Sequence, residues 1–111
     1  MAYDEGLAKR VDDVLEEIDP PQLIDKKMFG GIGFMVQGNL ACGVYQHSLI
    51  VRVGPEKYAD ALGLPGVKEF DITGRPMTGW VLVDMNFLEM KADLEQWIRQ
   101  GIDFALTLPP K

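Results

Sequence analysis

The sequence predicts an α+β fold: an antiparallel five-stranded sheet with flanking helices, in the order α-β-β-β-α-β-β-α. Amphipathic stretches of helical period occupy the two ends of the chain. Between them, apolar runs of strand length alternate with short turn signals. Only one brief helical stretch interrupts those runs. Strands grouped as hairpins, with helices at the ends and middle, argue against a doubly wound parallel sheet. At 111 residues the chain reads as a single domain, 1–111.

Residues 4–18 form the first predicted helix. Leu7, Val11, Val14, Leu15 and Ile18 share one face, and Lys9, Asp12, Asp13, Glu16 and Glu17 take the other. Asp4 and Glu5 suit the positive end of its dipole, and Asp19-Pro20-Pro21 stops it. The first strand is expected over Met28 to Val36, followed by a tight turn at Gln37-Gly38-Asn39. Leu40 to Tyr45 is the second strand and Gln46-His47-Ser48 its turn. Leu49 to Val53 is the third, with Arg52 on the face opposite Leu49, Val51 and Val53. Gly54-Pro55 opens a short helix that Gly63 closes. Val67 to Phe70 is a short fourth strand, and the segment 73–79 is a loop by composition. Trp80 to Val83 is a fifth strand, apolar on both faces. The final helix spans about 89–107, with Leu94, Trp97, Ile98, Ile102, Ala105 and Leu106 on its stripe and Pro109-Pro110 after it.

Composition narrows the class of function. The net charge of −6 offers no basic stripe to displace counterions from phosphates, so direct nucleic-acid binding is not expected. One cysteine cannot form an intramolecular disulfide, which suits a reducing compartment. The N-terminal residues are acidic and polar, unlike a signal peptide, and no apolar run nears the ~20 residues of a membrane span. A cytoplasmic protein without a membrane partner is expected.

The run Lys27-Met28-Phe29-Gly30-Gly31-Ile32-Gly33 is the most informative stretch. Its glycines could cradle an anion with backbone donors. It matches neither a P-loop nor a dinucleotide fingerprint, because no Gly-Lys-Ser/Thr and no helix follows. The structural alternative is a bent strand packing closely against a helix at Gly30, Gly31 and Gly33. If the fold brings Lys27, Arg52 and Arg75 together around those glycines, they form an anion-binding cluster. The alternative is three separate surface cations, some paired with Asp71 or Asp84.

Cys42 lies in an apolar strand and reads as a small core residue. His47 sits in the following turn, where adjacent geometry points the two side chains apart. No catalytic residues and no metal or other cofactor are assigned. The acidic pairs Asp12-Asp13 and Glu16-Glu17 fit a solvated helix face. Trp80 and Leu82 lie on one face of the fifth strand, Val81 and Val83 on the other. Three modest helices leave one sheet face short of cover, so Trp80 and Leu82 are the expected interface and a two-fold homodimer the expected assembly.

Four pieces together resemble the N-terminal domain of the TfoX/Sxy family: residues 27–33, Leu40-Ala41-Cys42-Gly43-Val44, Leu49-Ile50-Val51-Arg52-Val53-Gly54, and Gly74-Arg75-Pro76-Met77-Thr78-Gly79-Trp80-Val81. The resemblance covers about residues 5–108. It implies a small α+β domain with a five-stranded antiparallel sheet, similar in topology to secretion chaperones. It also implies kinship with bacterial regulators of natural competence, thought to act alongside a cyclic-AMP-receptor-type transcription factor. Members usually carry a second, helical C-terminal domain, and with the sequence ending at Lys111 a stand-alone N-terminal domain is expected. Two readings follow. The first is a non-enzymatic regulatory or adaptor module working through contacts with a protein partner whose identity is unknown. The second is a small anionic-ligand-binding protein or enzyme using the glycine run with Lys27, Arg52 and Arg75.

Overall fold

All six strands run antiparallel to their neighbours, in the spatial order β1-β2-β3-β4-β6-β5. The computed structural model describes residues 3–28, 30–71 and 74–111. Helix α1 (Glu5–Ile18) leads into β1 (Leu23–Met28), β2 (Gly31–Val36), β3 (Asn39–Tyr45) and β4 (Ser48–Arg52). Then come the short helix α2 (Tyr58–Leu62), β5 (Val67–Glu69), β6 (Trp80–Asp84), a 3-10 turn (Met85–Phe87) and helix α3 (Lys91–Leu106).

The α+β class and the antiparallel sheet are as the sequence predicts, but the described residues form six strands, not five. The expected strand Met28 to Val36 is broken. Met28 pairs with Gly31 across residues 29–30, and the segment before it is a strand of its own. Asp25, Lys26 and Lys27 are all exposed because β1 is an edge strand. A strand open to water along its length needs no apolar alternation, so periodicity does not reveal it. Gly30 adopts φ 75°, the left-handed conformation that the connection requires.

Local chemistry sets the other boundaries. The Asp4 carboxylate accepts the Leu7 N–H at 2.8 Å and caps α1. Asp19, at φ 53°, ends the helix just before Pro20. Gln37 and Gly38 both take positive φ between the paired residues Val36 and Asn39, the conformation of a tight two-residue hairpin. Beyond α3 the chain returns to this hairpin. The Lys111 N–H donates to Gln37 C=O at 2.8 Å, and the buried Asn39 amide donates to Pro109 C=O at 3.0 Å.

One face of the sheet carries all three helices. The main core joins Leu7, Val11 and Leu15 of α1, Ala61 of α2, and Leu94, Ile98 and Ile102 of α3 to Phe34, Val44, Leu49, Val51, Val81 and Val83 of the strands. Helix α3 lies closest to β3. There the register slips between Phe34 and Met35, which pair with Cys42 and Leu40, and Ala41 is left over as a bulge. Gly101 of α3 sits against the Ala41 carbonyl, with no room for a β-carbon between them.

The opposite face carries no helix among the described residues. Leu40, Ile50, Phe70 and Leu82 form a second, smaller core there, covered by Met28, Met35, Tyr45, Met77 and Trp80. No helix among the described residues is long and apolar enough to cross a membrane.

Candidate functional site

The predicted cation cluster is not assembled by the fold. Lys27 is exposed near the end of β1, opposite Ile32, and so on the face that carries the helices. Arg52 ends β4, opposite Trp80, and shares the helix-free face with Ile50 and Leu82. β1 and β4 are three ladder steps apart, roughly 14 Å at ~4.8 Å per step. Because β1 and β4 run in opposite directions, these two residues near the strand ends also lie toward opposite ends of the sheet. Arg75 is exposed in the loop that leads into β6. The loop is tied by the Met77 N–H to Phe70 C=O bond (3.1 Å), so Arg75 shares an end of the sheet with Arg52 and not with Lys27.

The glycines serve strand packing. β2 is paired on both sides, by β1 and β3, so the ladders use its backbone donors, and Gly31 and Gly33 lie within it. A β-carbon at Gly33 would lie 2.5 Å from the Met28 sulfur and 2.7 Å from Leu40 Cδ1. One at Gly31 would run into the Val44 carbonyl, and one at Gly43 would lie 2.5 Å from Ile32 O. The close approach expected of these glycines therefore exists, but against β3 and two side chains of the helix-free face, not against a helix. The close helix contact belongs to Gly101.

Arg52 has the most unusual surroundings of the predicted residues. Its guanidinium carbon lies 5.1 Å from the Trp80 ring centre and 5.4 Å from that of Phe104, which α3 brings over the end of the strand. Trp80 in turn stacks on Phe70 at 5.5 Å and 26°. Partial burial pulls the Arg52 pKa below its ordinary value, and among the described residues no carboxylate pairs with it. The rings hold the cation through their negative faces. Phe104 also lines a cleft of about 260 Å³ with Gly54, Pro55, Lys57 and Thr107. Of the expected interface pair, Leu82 is buried at 4% within the small core, and Trp80 is half-buried and packs against that core as part of its cover.

Cys42 is wholly buried, and desolvation pushes its thiol up to about 12. His47 is exposed, with Nδ1 3.2 Å from Asp4 Oδ2. The backbone hydrogen bond from Leu7, then the bond to His47, holds the Asp4 carboxyl below its ordinary value. The cysteine faces the main core and the histidine the solvent. Asp84, an expected partner for a surface cation, instead accepts the Asn86 N–H at 2.8 Å.

Sequence reasoning missed three features here: the β1 edge, the role of Phe104 and the methionine cover of the second face. Met28, Met35 and Met77 are scattered in sequence and pack against the same small core only once the sheet has formed. Phe104 follows Gly101 by three residues on α3, and helical spacing could have placed it on the sheet-facing side of that helix with Gly101.

A family model described as the TfoX N-terminal domain matches residues 13–105. Neither a curated protein nor a solved structure matches the chain.

Proposed function

Since the chain belongs to the TfoX N-terminal domain family, we propose that it is a regulatory adaptor module that acts in the cytoplasm through protein–protein contacts and carries out no chemistry of its own. The family points to a competence-related regulatory role. The observation that carries the adaptor reading is the division of the sheet. All three helices pack on one face, and among the described residues the other is closed by Met28, Met35, Tyr45, Met77 and Trp80. Unbranched thioethers re-pack at low cost and suit surfaces that mould to a protein partner bearing aliphatic and aromatic side chains. The state of the cysteine supports the same reading, because Cys42 is sealed in the main core with its thiol pushed up to about 12.

The test is complementation of a deletion strain with the parent chain or with Met35→Glu, reading a competence-gene reporter and co-purifying proteins. The adaptor reading expects a partner retained by the parent and lost by Met35→Glu, with the reporter falling in step and the variant still folded by circular dichroism. Equal reporter output from the two chains, or metabolite turnover by the purified parent, would overturn it.

A further inference from the structure

We propose that two copies of this chain pair antiparallel through the β1 edge, in a register that places Lys26 on the two-fold axis and joins the two sheets into one. The open edge is the starting observation. β1 pairs with β2 on one side, and no strand among the described residues pairs with it on the other. Among the described residues no hydrogen bond or ion pair reaches Leu23–Met28 from outside that ladder. Met28 and Gly31 flank residues 29–30 as a hydrogen-bonded hairpin pair. Pairs of this kind alternate along a ladder, so the N–H and C=O groups of Leu23, Asp25 and Lys27 point outward. The edge also carries Ile24, a large apolar side chain left 58% exposed.

Two-fold symmetry restricts what this edge can accept. In an antiparallel pair of identical strands, facing residues lie on the same side of the sheet, so the axis passes through a residue position. With the axis at Lys26, Asp25 faces the partner's Lys27 on the helix side, twice over. On the helix-free side Ile24 faces the partner's Met28, which already packs against the small apolar core. Asp25 and Lys27 both project outward in the backbone sense, so they form the hydrogen-bonded pairs of the new ladder. With the axis at Asp25, by contrast, two carboxylates would face each other and Leu23 and Ile24 would meet lysines. The charge pattern thus selects the first register. Its one cost is Lys26 against its own copy, a like-charge pair at the axis. Lysine on a sheet edge discourages pairing with arbitrary strands. Here the flanking opposite charges restrict the edge to a copy of itself.

Three sets of measurements on the full chain decide the matter. Sedimentation velocity over a concentration series is expected to show a species of twice the 12.4 kDa chain mass. Asp25→Lys or Lys27→Asp alone is expected to raise the dimer dissociation constant by roughly tenfold or more, because two attractive cross-strand pairs become repulsive. The double variant Asp25→Lys/Lys27→Asp restores dimerisation, which a merely misfolded single variant could not explain. Lys26→Thr is expected to tighten the dimer. Lys26→Cys is expected to oxidise to a covalent dimer, since a non-hydrogen-bonded antiparallel pair holds its Cα atoms about 4.5 Å apart, within disulfide reach. The native Cys42 is buried and does not compete. A chain that stays monomeric at every concentration, or a dimer indifferent to both single charge reversals and uncrosslinked by Lys26→Cys, overturns the proposal.

Discussion

Replacing Gly101 by alanine should destabilise the protein, although helix propensity alone predicts the reverse. Glycine inside a helix costs about 1 kcal/mol relative to alanine, so Gly101→Ala in an isolated α3 would be stabilising by that amount. In the folded chain the added β-carbon would sit 3.0 Å from the Ala41 carbonyl carbon and nearer still to its oxygen. Both obstructing atoms are backbone of β3, a central strand pinned by β2 and β4. No rotamer change relieves the overlap, so α3 must lift from the sheet. A gap of 0.5–1 Å forfeits about a quarter to a half of the dispersion energy of each contact it opens, and Ile98, Ile102 and Ala105 all make their contacts from this stretch. Overpacking of this kind costs about 1–3 kcal/mol, and the shared loss along α3 puts it at the upper end. Subtracting the helix gain leaves a net loss of about 2 kcal/mol, or a fall of roughly 10 °C in Tm. Urea unfolding followed by circular dichroism measures it. Gly63→Ala is the control: it has φ −78° at the end of α2, and its nearest obstacle is the Asp60 carbonyl at 3.4 Å, so it should be neutral or gain about 0.4–1 kcal/mol. A Gly101→Ala protein as stable as its parent would refute the reasoning.

Three further outcomes are expected. Cys42 should resist thiol reagents in the native state and react fully in denaturant, because it is buried with its thiol pushed up to about 12; fast labelling of folded protein would contradict its placement. Asp4, whose carboxyl is depressed by the Leu7 N–H and then by His47, contributes stability above the ordinary value of 3.8 and loses it as pH falls through the depressed value. Asp4→Asn keeps a capping side chain but drops the charge, so its deficit in Tm should be present at neutral pH and vanish well below that ordinary value; a constant deficit would count against the linkage. Arg52→Met should lose about 1 kcal/mol and shift Trp80 fluorescence, because it keeps the stem but removes the cation between the rings. A double-mutant cycle with Phe104→Leu that shows no coupling would remove the stacking argument.

Elements with an internal rhythm were legible in the sequence. α1 and α3 alternate a dry and a wet face at helical period because each packs on one side only. The turns at Gln37-Gly38 and Gln46-His47 announce themselves through residues at the head of tight connections. The motifs at residues 27–33, 40–44, 49–54 and 74–81 pointed to the family that the match over residues 13–105 establishes. β1 escaped because an exposed edge imposes no apolar pattern on its residues, and the glycines after it then read as one bent strand.

The sequence by itself determined the α+β class, the core-facing stripes of the helices and the family, since these depend on local period and on short motifs. Tertiary structure decided everything that depends on register and on which face a residue shares with distant segments. It separated Lys27 from Arg52 onto opposite faces, set Arg52 between Trp80 and Phe104, and gathered three methionines over the sheet's helix-free side. A one-residue shift in strand register exchanges the two faces of a sheet. Local sequence does not encode that choice; it emerges only when all six strands and three helices bury their apolar surfaces together.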